Sequence, residues 1–311
     1  MNVLLTGANG FLGNACLRKI INSGSSPTVI LRNSSAFIES LNINIIKVDT
    51  FDFKNFLSIN FSNIDCVIHI AAIAHTTSTC LQKYRDFNTK TSIDLAALAS
   101  VAGVKRFVFI SSIGVNGISN SQAFTVTDKP SPVEHYAVSK LEAEIGLTKI
   151  ASESGMELVI IRPPLVYGPG APGNFGKLAR LAKKNLPLPL GAINNKRSLV
   201  ALDNLVDLII TCIDHPKAAN QTFLVSDDHD VSTTELLQMM TRAAGKTPRL
   251  LPVPESWLKF AGKLLGKQAV VDRLCGNLQV DITHTKETLN WIPPISMEEG
   301  IRRCFVKEDL C

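Results

Sequence analysis

The stretch NVLLTGANGFLG, residues 2–13, decides the fold. Val3–Leu5 is a short apolar run of strand character, and Gly7, Gly10 and Gly13 follow in a G-x-x-G-x-x-G pattern. Phe11, Leu12, Ala15, Cys16 and Ile20 then recur at helical spacing through Ile21. A strand that turns on glycines straight into a helix suits a bound phosphate. The tight turn requires backbone angles that glycine adopts at low cost. A pyrophosphate can approach only where no Cβ intervenes. The helix N-terminus then presents free N–H groups and the positive end of its dipole. Asn9, Phe11 and Leu12 complete this turn. The spacing differs from G-x-G-x-x-G but relies on the same mechanics.

Outward from this turn, apolar runs alternate with helical patterns. Thr28–Leu31, Ile43–Val48, Cys66–Ile70, Phe107–Ile110 and Leu158–Ile161 read as strands, and Thr91–Ala102 and Tyr136–Ser152 as helices. Cys66–Ile70 is continuously apolar, as in a strand covered on both faces. Repeated βα units with right-handed crossovers predict an α/β fold with a doubly wound parallel Rossmann sheet. The regular alternation ends at Arg162, where RPPLVYGPGAPGNFG begins, and LPLPLGAINN follows from Leu186. Proline cannot feed a central ladder, so these stretches are loops or edges. Leu199–Ile213 reads as a strand end plus a helix, and Thr222–Val225 as a late strand. Residues 1–163 and about 199–226 are therefore assigned to a dinucleotide-binding domain. Residues from about 164 to 198 and from 227 to 311 are assigned to a smaller mixed α/β C-terminal lobe for substrate.

The composition, 311 residues with 45% hydrophobic and 19% charged, suits a globular chain with a large core. The net charge of +5 is scattered, without a basic run, which argues against nucleic acid as the partner. The seven cysteines (Cys16, Cys66, Cys80, Cys212, Cys275, Cys304, Cys311) form no CxxC and read as reduced thiols of a cytoplasmic protein. The first strand begins at Asn2, which leaves no place for a signal segment, and no apolar run has the length of a membrane span.

The end of the second strand bears on the choice of dinucleotide. An acidic residue there would hold the ribose hydroxyls of NAD, but VILRN places Arg32 at that point. A guanidinium pairs with a 2′-phosphate, so NADP is favoured over NAD, with Ser34 and Ser35 as further hydrogen-bonding groups. Asp49, after the third strand, is placed to approach the adenine amino group.

Tyr136 and Lys140 are four residues apart on one helix face. A free tyrosine has a pKa of about 10, and a nearby ammonium stabilises its phenolate. Tyr136 can then exchange a proton with a sugar hydroxyl or carbonyl as hydride moves to or from a nicotinamide. Lys140 can also hold the nicotinamide ribose. Ser112, at the end of FVFISS, can bond the same substrate oxygen.

TGANGFLG, VIHIAAIAH, AGVKRFVFISS, YAVSKLEAE and IRPPLVYGPG, spread over nearly the whole chain, resemble the extended short-chain dehydrogenase/reductases, in the branch of nucleotide-sugar epimerases and dehydratases. The resemblance implies that Ala71, Ala72 and Pro163 border the cofactor and that Asn88 supports the active site. It also implies that Asn174 and Arg197 contact a sugar nucleotide's diphosphate, that backbone of LPLPLG, including Leu190, meets the nucleobase, and that the chain forms a homodimer through Thr91–Ala102 and Tyr136–Ser152. Two positions depart from the 4-epimerase pattern: Arg32 replaces an acidic residue, and VNG with Asn116 replaces VYG. Both direct the expectation toward reductases of UDP-4-keto-6-deoxy-N-acetylhexosamine in surface-polysaccharide synthesis, with an NAD-dependent UDP-hexose or UDP-N-acetylhexosamine 4-epimerase as the alternative.

Three other signals are weaker. DDHD, Asp227–Asp230, lies in an expected loop without a second acidic cluster, and the chemistry proposed needs no metal. His69 lies in an apolar strand and suits a structural role, while His75 could line a substrate pocket. Trp257–Lys267, WLKFAGKLLGK, is amphipathic and basic, which fits a helix whose apolar face covers the core and also fits a membrane-surface helix.

Overall fold

The computed structural model describes residues 1–74 and 80–306; His75 and Cys311 lie outside the described residues. The N-terminal part runs β1 (Asn2–Thr6), α1 (Phe11–Asn22), β2 (Ser26–Leu31), α2 (Ala36–Glu39), β3 (Asn44–Lys47), α3 (Phe53–Phe56), β4 (Cys66–His69), α4 (Leu81–Tyr84), α5 (Thr91–Val101), β5 (Arg106–Ile110), α6 (His135–Ser154) and β6 (Glu157–Arg162). It continues with β7 (Leu165–Tyr167), α7 (Gly173–Lys184), β8 (Leu199–Ala201), α8 (Leu202–Asp214) and β9 (Gln221–Leu224). The last helices are α9 (Thr233–Ala243), α10 (Glu255–Leu264), α11 (Gln268–Cys275), α12 (Thr283–Leu289) and α13 (Met297–Arg303).

Seven parallel strands form one sheet in the order β3-β2-β1-β4-β5-β6-β9, and β7 and β8 form a separate parallel pair. The period-2 alternation of side chains divides the core into two layers. Val3, Leu5 and Ile68 face the layer that contains Leu17 and Ile20 of α1 and Leu208 and Ile209 of α8. Leu4, Val67, Phe107 and Phe109 face the opposite layer with Leu95 of α5 and Leu147 of α6. With both faces covered, the central strands are wholly buried, as expected from the run Cys66–Ile70, of which Cys66–His69 forms β4. Helices α5 and α6 approach closely because Gly146 leaves room for Ile93: a Cβ at Gly146 would lie 2.4 Å from Ile93 Cδ1.

The strand order reverses between β1 and β4, which creates a crevice at their carboxyl ends. The late strand predicted at Thr222–Val225 is β9, the sheet edge beside β6. The loops after Arg162 lead to the β7–β8 pair and to a third hydrophobic cluster that gathers Phe175, Leu199, Leu237, Met240 and Ile301, so Leu199, expected with the dinucleotide domain, packs with residues of the C-terminal segment. Asp227 links β7, β8 and α8. Its carboxylate accepts from Tyr167 Oη (2.7 Å), the Ala201 amide (2.8 Å) and Asn204 Nδ2 (2.7 Å). The remaining carboxylates of DDHD are also engaged, Asp228 by Lys286 and Asp230 by Ser198 and Gln279.

Two local features differ from the periodicity. A π-helical segment, Arg85–Lys90, precedes α5 and carries Asn88. Helix α10 inverts the expectation that an apolar face covers the core: Trp257, Phe260 and Leu264 are 69%, 72% and 78% exposed. Its inward side is the narrow stripe Leu258 and Gly262, which packs on Val271 of α11. No helix among the described residues is long and apolar enough to cross a membrane.

Candidate active site

The glycine turn sits at the β1–β4 crevice. Gly7 has φ +79°, and a Cβ there would lie 2.9 Å from the Ala71 amide nitrogen. Gly13 carries α1 against the turn so closely that a Cβ would overlap the Gly7 carbonyl. The turn is closed by the Gly10 amide donating to the Gly7 carbonyl at 2.9 Å. Helix α1 has no side-chain cap and no acidic residue in its first turn, so its N-terminal amides remain available to an anion.

Gly7, Asn9, Gly10, Phe11, Leu12, Gly13, Arg32, Ala71 and Ala72 line one cavity of about 420 Å³. Its remaining wall includes Ile70, Phe51 and Phe87. The two phenylalanines have ring centroids 6.0 Å apart, and sequence reading missed them because each lies in a loop or irregular helix without apolar periodicity. Asp49 is exposed at the same sheet edge but does not line the cavity. A dinucleotide fits this site, because the glycine cradle would be filled by any Cβ and the uncapped helix faces it. A larger hollow of about 590 Å³ lies at the amino ends of β1, β2 and β3, lined by residues such as Asn2, Ser26 and Asn44. It holds no charged or glycine-cradled group, and it is the wrong edge for an α/β sheet.

Arg32 is exposed just after β2, its guanidinium 5.6 Å from the Phe87 ring centroid, and no carboxylate among the described residues pairs with it. Ser35 is committed as the cap of α2, accepting from the Ile38 amide, whereas Ser34 Oγ is buried without a partner.

Beneath the cofactor crevice a buried chain of hydroxyls connects three elements. Thr6 Oγ1 accepts from the Ile70 and Ala71 amides at 3.2 Å and meets His69 Nδ1 at 2.8 Å. His69 Nε2 meets Ser92 Oγ at 2.9 Å, and Ser92 donates to the Asn88 carbonyl. Burial, followed by the Lys140 charge, pushes the His69 pKa down to about 3, so this imidazole is a neutral bridge. Asn88 in turn holds the Ile73 backbone and donates to Ser139 Oγ of α6 at 3.0 Å.

Helix α6 begins one residue before Tyr136, whose ring centroid is 6.3 Å from that of Tyr84. Lys140 is 1% exposed; its ammonium lies 4.0 Å from the Phe109 ring centroid and makes no hydrogen bond or ion pair among the described residues. Ser112 caps a 3-10 turn, Ile113–Val115, by accepting from the Gly114 amide at 3.1 Å. A Cβ at Gly114 would lie 3.2 Å from Ala137 Cβ, so the Ser112 turn packs on α6 beside Tyr136. Pro163 is buried after β6 and its carbonyl accepts from the Ile113 amide at 2.9 Å.

The expected ammonium-lowered phenol is not what burial produces in the chain alone. Burial, then Tyr84, pushes the Tyr136 pKa up to about 12, and burial pushes that of Lys140 down to about 7. Each group is driven toward its neutral form by the same dry environment. For Lys140 the folded pKa lies below the ordinary 10.5. Between these values the unfolded chain holds the extra proton, so stability rises with pH across that window and the penalty is fullest below pH 7. Lys140→Met is therefore expected to raise the melting temperature more at pH 6 than at pH 10; an equal gain at both would refute it.

Behind Lys140, Glu144 and Arg162 form a buried pair. Arg162 donates to Glu144 at 3.0 and 2.6 Å and to Asn116 Oδ1 at 3.0 Å, and Ser111 Oγ donates to Glu144. Asn116 donates onward to the Thr125 carbonyl at 3.2 Å. The departure from VYG thus serves a buried structural network.

Before β8, Arg197 Nη1 donates to the carbonyls of Arg273 (2.8 Å) and Gly276 (3.1 Å) at the end of α11, and its other guanidinium nitrogens have no partner among the described residues. Arg273, which sequence reading missed because no motif surrounds it, pairs with Glu134, the cap of α6. This places the Arg273 guanidinium beside the start of α6, and burial, then the Arg273 charge, lowers the Arg197 pKa. Asn174 is exposed in the first turn of α7. The Leu190 carbonyl accepts from Thr234 Oγ1 at 2.7 Å, and the neighbouring Leu188 and Gly191 pair with Arg249 and Leu251.

The model of the NAD dependent epimerase/dehydratase family matches residues 3–226. The chain belongs to this family. A UDP-glucose 4-epimerase of Vibrio cholerae is 46% identical over 310 residues, covering 97% of this chain and 94% of that protein. Among solved structures, the UDP-glucose 4-epimerase of Thermotoga maritima with UDP-glucose has a TM-score of 0.79 at 25% identity, covering 98% of this chain and 97% of that one. The UDP-glucuronic acid 4-epimerase of Bacillus cereus in complex with NAD shares the fold with a TM-score of 0.78 at 20% identity, covering 98% and 96%. The relatives just described are named as 4-epimerases, which corrects the expectation of closest likeness to 4-reductases. For this family an NAD-type dinucleotide is the cofactor and an enzyme activity is established.

Proposed function

We propose that the protein is an NAD-dependent 4-epimerase of a UDP-hexose or UDP-N-acetylhexosamine. The observation that carries this reading is the full-length 46% identity to a UDP-glucose 4-epimerase. Arg197 supports it, because a diphosphate needs a fixed and always-charged partner and the other guanidinium nitrogens of Arg197 are uncommitted among the described residues. When bound, the dinucleotide supplies the hydride acceptor and donor. Tyr136 takes the proton from the sugar 4-hydroxyl and later returns it to the 4-oxygen. Ser112 hydrogen-bonds the same oxygen. Lys140 holds the nicotinamide ribose and, when protonated, favours the phenolate. Exposed Val101 on α5 and Ile145 on α6 support a homodimer through these helices.

A second reading, an NADP-linked 4-ketoreductase acting on a UDP-4-keto-6-deoxy-N-acetylhexosamine, is supported by unpaired Arg32 beside the orphaned Ser34 hydroxyl. The two differ in cofactor turnover. Dinucleotide released from the purified protein is identified by mass spectrometry, and a UDP-sugar panel is assayed with and without added NAD or NADPH. The epimerase reading expects retained NAD and C4 inversion without net cofactor consumption. Stoichiometric NADPH oxidation with a 4-keto sugar, and no inversion, would sink it in favour of the reductase.

A further inference from the structure

Six of the large apolar side chains that the described chain leaves exposed fall between residues 251 and 270: Leu251, Trp257, Phe260, Leu264, Leu265 and Val270. At 100° per residue, Trp257, Phe260 and Leu264 of α10 share one stripe, while Leu258 and Gly262 hold the helix to α11. Lys259 and Lys263 flank the stripe on the Phe260 side, and Lys267 follows the helix. Against these three cations the segment 255–267 offers only Glu255, which pairs with Lys259 at 3.4 Å. The two tryptophans show the contrast: Trp291 is 5% exposed and donates to Asp207, whereas Trp257 is 69% exposed.

We propose that α10 docks the enzyme on an anionic lipid surface, with Trp257, Phe260 and Leu264 entering the interface and the lysines meeting lipid phosphates. Three arguments favour a bilayer over a protein. A ten-residue helix is about 15 Å long and about 10 Å wide, so its face of about 150 Å² is far short of the roughly 800 Å² per partner of a stable protein interface. A two-fold contact with a second copy would appose the lysines with themselves. An exposed apolar stripe bordered by cations matches the headgroup boundary in both polarity and charge. Helix α10 joins the rest of the fold through α11, whose Arg273 pairs with the cap of the Tyr136 helix.

The full-length protein is sedimented with phosphatidylcholine vesicles, with and without about one-third phosphatidylglycerol. Anionic vesicles are expected to bind it at least about tenfold more tightly, with the gain lost at high salt. Trp257 emission should shift to the blue while buried Trp291 provides a constant background. Phe260→Glu/Leu264→Glu is expected to abolish binding, and Lys259→Glu/Lys263→Glu to abolish the preference for anionic lipid. Both should keep the parent's circular dichroism and its turnover of soluble substrate, because these side chains are exposed and away from the reacting groups. Equal binding to both vesicle types, no binding to either, or retention by the Phe260/Leu264 variant overturns the proposal. So does conversion of an oligomer to monomer by that variant, which would assign the face to a second copy.

Discussion

Tyr136→Phe is expected to lower kcat about 10³-fold while leaving dinucleotide affinity nearly unchanged. The substitution removes one oxygen from a ring that sits 6.3 Å from the Tyr84 ring, so packing survives. The glycine cradle and the open end of α1, proposed to hold the dinucleotide, are formed by other residues. What is lost is the one group able to move a proton at the sugar oxygen in so dry a site. Titration of the variant with dinucleotide, followed by steady-state turnover of the UDP-sugar, separates the two effects. Turnover within about tenfold of the parent would refute the assigned role.

The second large effect is expected behind the site. Arg162→Met is expected to cost about 3–5 kcal/mol of stability, because Glu144 would remain buried and uncompensated. Arg162 and Glu144 side chains are 8% and 5% exposed, so water cannot replace the lost partner. The same change releases Asn116 and loosens the strand end that carries Pro163 and, through it, the turn of Ser112. The double variant Glu144→Met/Arg162→Met should recover most of the stability, since replacing both charges removes the orphan. Urea unfolding measures both. A single variant that costs under about 1 kcal/mol, or a double variant as weak as the single, would show that the pair is solvated.

Much of the site was legible in the sequence because it depends on local rules. Gly7, Gly10 and Gly13 form their turn within one strand–helix junction, and Tyr136 and Lys140 share a face by helical spacing alone. Phe51, Phe87 and Arg273 were not legible, since each reaches the site from an irregular segment that only the folded chain brings near. Asn116 was read as a change of function, and its partner Arg162, which lies 46 residues later, shows it to be a structural contact. Helix α10 is the reverse case: its pattern was visible, but the direction of its apolar face was not.

The sequence by itself determined the doubly wound sheet, the phosphate turn and the Tyr136–Lys140 pair, because periodicity and short-range backbone geometry specify them. Only the tertiary structure decided what surrounds those groups. It buries Lys140 and desolvates Tyr136 so that each is pushed toward neutrality, stations Arg273 at the start of α6, and turns the Trp257 stripe to solvent. Burial and charge proximity are properties of residues far apart in the chain, and no local pattern records which face will be covered.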